Sequence, residues 1–235
     1  MTKKALCLIL ARSGSQRLKN KNMRHLYGKP LIYYSLRAVK EAKIFDKIII
    51  STDSQKIGNY AKKNGIEFPF LRPKHLATKN ANIKDVVKHA LNWVKKKYGK
   101  YKYVQYVFPT SPLRNKHDIL RGYNTLVKNK KIELVMSVSE TRKSSLTTNI
   151  LPKNKSLKNF ILKKYRPENK IKIPKTYVID GSIYIGKWNI WYHKKDWFKA
   201  YSKAIITPEE RSVDIDNESD WYLAKYKFKN LKKKF

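Results

Sequence analysis

Two short stretches concentrate the residues that could do chemistry. The first follows the apolar run Ala5 to Leu10 and reads Ala11-Arg12-Ser13-Gly14-Ser15-Gln16-Arg17-Leu18-Lys19-Asn20-Lys21-Asn22. A small loop after a strand can turn backbone N–H groups toward phosphates, and Arg12, Arg17, Lys19 and Lys21 add positive charge. Its spacing is neither G-x-x-x-x-G-K-S/T nor G-x-G-x-x-G, so an ordinary basic turn is the competing reading. The second stretch, Glu209 to Asp220, holds six of the chain's 17 acidic residues. In an extended segment Asp214 and Asp216 point to one face and offer two hard oxygen ligands side by side. That suits Mg²⁺, which is usually held by one or two carboxylates together with nucleotide phosphates. The same acids could instead cap a helix that begins near Glu218, where negative charge is favoured.

These stretches need a scaffold, and the periodicity supplies one. The runs 5–10 and 48–50 read as buried strands, with helical spacing over 30–42 between them, which makes a βαβ unit. Further helices are expected over 54–63, 83–97 and 118–128, and strands over 66–70, 103–108 and 134–138. Alternation of this kind predicts an α/β, Rossmann-like, mainly parallel sheet with helices on both faces and ligands beyond the carboxyl ends of its strands. From about 140 to 175 the rhythm gives way to a polar stretch with one expected strand, Phe160 to Leu162. Strands over 177–179 and 182–185, a helix over 188–201, a strand over 204–206 and a helix over 218–229 follow, and 229–235 reads as a frayed basic tail. The whole chain, 1–235, is expected to form one domain with an excursion at 140–175.

Composition narrows the function classes. A hydrophobic fraction of 41% in 235 residues supports a sizeable core and excludes a disordered chain. No apolar run reaches the roughly 18 residues that span a bilayer, and the apolar start ends at Arg12 without a cleavage-site pattern. The expectation is a cytoplasmic protein with no membrane partner. The net charge of +37 suggests nucleic acid at first, but 44 of the 54 basic residues are Lys, spread from end to end. Specific readers of base edges use Arg and cluster their charge, so no specific nucleic-acid partner is expected, only attraction of anionic ligands. The single Cys7 lies in an apolar strand and reads as a buried thiol.

The motifs in chain order resemble the CMP-sialic acid synthetases (acylneuraminate cytidylyltransferases) and, more distantly, the CMP-Kdo synthetases. The resemblance rests on Ala11-Arg12-x-Gly14-Ser15 with Lys21-Asn22, Gly28-Lys29-Pro30-Leu31, Ser51-Thr52-Asp53 and Arg72-Pro73-x-x-Leu76-Ala77. It continues through Pro109 to Arg114, Asp180 to Tyr184, and Asp214-Ile215-Asp216-x-x-x-Asp220. It implies that Arg12 and Lys21 hold the triphosphate of CTP, with Ser15 on the same loop. Asn22 would hold the ribose and base region, Arg72 would reach the nucleotide, and Asn82 stands where a base-contacting Ser is common. Asp214 and Asp216 would bind Mg²⁺, and Tyr184 would lie near the sugar.

The resemblance also implies the reaction. The anomeric hydroxyl of an acidic eight- or nine-carbon 3-deoxy-2-ulosonic acid attacks the α-phosphorus of CTP, giving a CMP-sugar and pyrophosphate. Arg12, Arg17, Lys21 and Mg²⁺ would stabilise phosphate charge, and the Asp214 carboxylate, or a hydroxide bound to a metal there, would take the sugar proton. Departures from the family pattern stand at Gln16, Phe108, Lys79 and Lys170-Ile171, and Arg17 is expected to supply the cation missing at Gln16. They leave CMP-Kdo, legionaminate or pseudaminate cytidylyltransferases, or an inactive nucleotide-binding relative, as alternatives. Lys163, Lys164, Arg166 and Lys170 are candidates to meet the sugar's carboxylate, and a homodimer is expected that brings the 140–175 excursion to the partner's site.

Overall fold

Six strands form the central sheet of the computed structural model, which describes residues 4–15, 17–193 and 196–232. The chain runs through β1 (Ala5–Leu10), a small hairpin of β2 (His25–Leu26) and β3 (Lys29–Pro30), α1 (Leu31–Glu41), β4 (Lys47–Ser51) and α2 (Gln55–Lys63). It continues with α3 (Ile83–Tyr98), β5 (Tyr103–Val107), α4 (Lys116–Lys128), β6 (Leu134–Glu140) and β7 (Tyr177–Lys187). The last elements are α5 (Trp188–His193), β8 (Ser202–Ile206) and α6 (Glu218–Lys232). The order across the sheet is β4-β1-β5-β7-β6-β8. β1 pairs parallel with β4 and β5, and β6 pairs parallel with β8, while β7 is antiparallel to both of its neighbours. The sheet is thus mainly parallel, as the alternation of strands and helices predicts.

Every residue of β1 is buried, because helices cover both faces. Ala5, Cys7 and Ile9 pack with Ile32, Leu36 and Val39 of α1 and Ile119 of α4, whereas Leu6, Leu8 and Leu10 pack with Val87, Leu91 and Val94 of α3. Helix starts are fixed by polar caps that accept otherwise orphaned N–H groups. Ser54 accepts from Ile57, Asn82 from Lys84, and Asn115 with Asp118 forms a reciprocal capping box on α4.

Several expectations are corrected. Within 66–70 only Glu67 makes an isolated parallel bridge, to Ile49, and Leu71 just beyond makes another, to Thr52, because Pro69 between them cannot donate to a ladder. Phe160 to Leu162 is a turn: Phe160 N–H donates to Leu157 and Tyr165 N–H to Leu162, and Leu162 is exposed. The expected helix over 188–201 ends at His193, and a short turn follows in which Asp196 caps Phe198. The two strands expected over 177–185 are one strand, β7, with a bulge: Met136 faces Tyr184 while Val138 faces Ile179. Gly181 within that bulge has φ +76°, a region where a side chain would be strained. α6 extends to Lys232 rather than fraying after 229, and residues 233–235 lie outside the described residues.

Candidate active site

The carboxyl ends of β1, β4 and β5 open onto a cleft of about 270 Å³. Arg12, Ser15, Lys21, Asn22 and Arg72 line it, together with Lys79, Thr110 and the apolar side chains of Leu10, Leu76 and Phe108. Five of the expected nucleotide-binding residues are therefore brought together. Asn82 is the exception: its side-chain oxygen accepts from Lys84 N–H at 3.0 Å as the cap of α3, while its neighbours Ala81 and Ile83 line the cleft.

The loop after β1 is held by bonds to distant parts of the chain. Ser13 donates its N–H (2.7 Å) and its hydroxyl (2.5 Å) to the two oxygens of Asp53. Asn20, in the left-handed region at φ 52°, turns the chain so that its carbonyl accepts from Met23 and Arg24 at 2.8 and 2.9 Å. Asn22 is only 8% exposed and donates from Nδ2 to the Arg12 carbonyl at 2.8 Å. Its Oδ1 has no protein partner among the described residues, which is a cost unless a ligand donates to it. Gln16 lies outside the described residues.

On the other wall of the cleft, Arg72 is 5% exposed and fixed by Ser51, donating from Nε to the hydroxyl at 2.9 Å and from Nη2 to the carbonyl. Burial above all pushes its pKa down to about 10; Asp53 opposes this and Arg12 reinforces it. The group remains a cation at neutral pH.

The acidic stretch meets this loop directly. Lys21 donates from Nζ to the Ile215 carbonyl (2.5 Å) and to Asp216 (3.1 Å), and Arg17 donates to the other Asp216 oxygen at 2.9 Å. The Lys21 side chain is 12% exposed and Arg17 67%, so the Lys21 bond is the one shielded from water. Asp214 and Asp216 flank the fully buried Ile215, whose N–H donates to Thr110 at 2.9 Å. Helix capping falls to other residues: Asn217 accepts from Asp220 N–H at 3.0 Å, and Asp220 accepts from the N–H of Asp216 and Asn217 at 2.8 and 3.0 Å. The Asp214 carboxyl keeps a path to solvent, yet the walls around it withdraw enough water to raise its pKa. Thr110 and Lys21 pull it down, while Asp216 and Asp220 add to the rise.

Tyr184 stands behind the cleft wall, stacked on Tyr106 at 4.7 Å and edge-on to Phe108 at 6.2 Å. Burial, with Asp214 and Asp180 nearby, pushes its hydroxyl up to about 12. Lys163, Lys164, Arg166 and Lys170 sit on turns of the excursion and do not line this cleft. Two participants escape the sequence reading: Asp53, which clamps the loop, and Thr110, which seats Asp214. Both lie inside recognised motifs, but only the fold shows what they touch.

The fold is a mainly parallel α/β sheet with a cleft beyond its strand ends. A family model described as cytidylyltransferase matches residues 6–171, and the chain belongs to that family. It is 35% identical over 95% of its length to an N-acylneuraminate cytidylyltransferase of Escherichia coli, about half of whose length (52%) it spans. It is 30% identical to a pseudaminic acid cytidylyltransferase of Campylobacter jejuni, covering 96% of this chain and 97% of that one. It is 31% identical to a CMP-N,N'-diacetyllegionaminic acid synthase of Legionella pneumophila, covering 93% of each. Among solved structures, a CMP:2-keto-3-deoxy-manno-octonic acid synthetase complexed with CTP superposes with a TM-score of 0.67 at 12% identity, over 97% of this chain and 99% of that one. At that identity the likeness speaks for the fold. No helix among the described residues is long and apolar enough to cross a membrane.

Proposed function

We propose that the chain transfers the cytidylyl group of CTP to the anomeric hydroxyl of a sialic acid-like 3-deoxy-2-ulosonic acid. The observation that carries this reading is a cleft beyond the strand ends lined by Arg12, Lys21 and Arg72, with the Asp214–Asp216 segment joined to its rim by Lys21 bonding Ile215 and Asp216. Phosphates of CTP take the place beside Arg12 and Lys21 and draw Lys21 and Arg17 away from Asp216. Asn22 offers its free Oδ1 to a ribose hydroxyl or the base amino group. The cleft holds the acceptor in line with the α-phosphorus, and Asp214, with its raised pKa, accepts the proton of the attacking hydroxyl. The new bond joins the sugar oxygen to phosphorus, and pyrophosphate leaves with the electron pair of the broken P–O bond.

Mg²⁺ fits the donor set: two carboxylates flank one buried residue, Asp214 is open to solvent, and Asp216 is already matched to positive charge. Asp214 and Asp216 would hold it, and when bound it neutralises phosphate charge. The apolar side chains of the excursion support a homodimer. Ile150 (88% exposed), Leu157 (66%) and Leu162 (64%) face outward, and a second copy would cover them and bring Lys163 or Arg166 to its partner's acceptor.

Pyrophosphate release tests the reading. With Mg²⁺ and an N-acylneuraminate-, legionaminate- or pseudaminate-type acid, CTP supports turnover while ATP, GTP and UTP do not. Equal turnover with all four nucleotides contradicts it.

A further inference from the structure

Beneath the acidic edge of the cleft lies a cation that the reaction above does not use. Arg114 is 3% exposed, and no carboxylate among the described residues forms an ion pair with it. Its guanidinium donates to the Ser182 carbonyl at 2.7 Å, the Ser35 hydroxyl at 2.6 Å and the Phe108 carbonyl at 3.0 Å. Burial pushes its pKa down to about 10, and Asp118, Asp180 and Asp214 are close enough to oppose that shift. A buried charge solvated by neutral dipoles is expensive, and an apolar side chain of similar bulk would fill the space at less cost. What the guanidinium supplies is a rigid planar fork that fixes several directions at once.

Those directions lead to Asp214 from two sides. Phe108 precedes Pro109 and Thr110, and Thr110 holds the Asp214 segment through its carbonyl on Ile215 N–H (2.9 Å) and its side chain on the Asp214 carboxyl. Ser182 follows Gly181, where an added Cβ would lie 3.3 Å from Asp214 Oδ2 and 3.7 Å from Ser111 Oγ. The seat of Asp214 is therefore bounded by two segments, and Arg114 grips the backbone of both. The β5–β7 ladder joins these strands as far as Tyr106 and Tyr184; beyond it Arg114 bonds both segments, while Ser111 Oγ, Asp180 Oδ2 and Ser182 Oγ are buried there without protein partners among the described residues.

We propose that Arg114 is a positioning residue, which holds the Thr110 segment and the Gly181 turn at the spacing that lets Asp214 act. The proposal rests on the role given to Asp214 above. Three variants test it: Arg114→Met removes the fork, Arg114→Lys keeps the charge without the fork, and Ser35→Ala removes one anchor from α1, outside the cleft. For each, kcat and KM for CTP are measured, and Mn²⁺ binding with CTP but no acceptor is titrated by electron paramagnetic resonance.

In Arg114→Met, kcat falls about 30-fold or more and Mn²⁺ binding weakens about tenfold, because a misplacement of about 1 Å costs on that scale. KM for CTP rises by much less than kcat falls, because Arg12 and Arg72 hang from other segments although Phe108 and Thr110 line the cleft. Arg114→Lys recovers part of both losses, and Ser35→Ala shows the same pattern at about fivefold in kcat. If Arg114→Met does not fold, the other two variants decide. Mn²⁺ affinity and kcat within about twofold of the parent in both, whatever their Tm, would overturn the proposal, as would a KM for CTP that rises in step with the loss of kcat. A parent chain without CTP-dependent turnover would sink the reading of the site. An active parent whose variants bind Mn²⁺ normally would sink this inference alone.

Discussion

The loop after β1 and the excursion between β6 and β7 are both irregular, yet they are held in opposite ways. In the loop the decisive bonds reach far along the chain: Ser13 to Asp53, Arg17 and Lys21 to Asp216, and Arg24 to Glu218 at 2.6 Å. In the excursion the distant bonds are confined to its base, Thr141 to Thr176 and Arg142 to Glu209, and between them the bonds are local, as in Leu146 N–H to Ser144, Ser156 N–H to Asn154, Lys158 N–H to Ser156 and the Asn169 side chain to Lys163. Several of its apolar side chains, Ile150 and Leu157 among them, are exposed. A segment organised by distant bonds is positioned by its own fold. One tied down only at its base, with apolar groups exposed beyond it, leaves the placement of its tip to whatever covers it.

The strongest way to break this contrast is to remove a carboxylate that anchors the loop side. Asp214→Ala and Asp216→Ala each lower kcat/KM for CTP by about 10²-fold or more, measured as pyrophosphate release at saturating Mg²⁺. Full turnover in Asp216→Ala would refute the metal role. Lys21→Ala comes next, with a loss of about 10²-fold that falls on both kcat and KM, as expected of a cation proposed to serve the bound triphosphate and the transition state alike. For the excursion, Leu157→Ser combined with Ile150→Ser turns a dimer into a monomer in light scattering while leaving Tm nearly unchanged. A dimer unaffected by both changes would mean that another surface forms the contact.

A smaller effect sharpens the electrostatics of the seat. Asp214 has a pKa raised from its ordinary value of 3.8, chiefly by burial. Folding thus favours its protonated form, so the stability it contributes is complete below the ordinary pKa and is lost as pH rises through the elevated one. At pH 7 the ionised group costs stability, and Asp214→Asn raises Tm there, with a gain that shrinks toward low pH. The smallest effect concerns the core: burial pushes the Cys7 thiol up to about 12, so the native protein reacts with a thiol reagent only as it unfolds.

Much of this organisation is legible in the residues. β1 can be read because six successive buried residues admit little else, and the cleft can be read because Arg12, Lys21, Asn22 and Arg72 stand in motifs of recognisable order. The direction of β7 cannot, since its apolar pattern is the same whichever way it pairs, and the bulge at Gly181 hides between two apparent strands. Pro69 carries a visible warning against a strand at 66–70 that the apolar pattern outweighs. The part played by Arg114 is invisible for another reason: one Arg in a chain of 54 basic residues gives no sign that it is buried until the fold closes over it.

The proposed reaction is tested most directly by mass spectrometry of the products formed from CTP, Mg²⁺ and each of the three acid types. The expected products are a CMP-linked acid and one pyrophosphate for every CTP consumed, with one acid clearly preferred. CTP that binds the cleft but yields neither product with any of the acids would contradict the reaction.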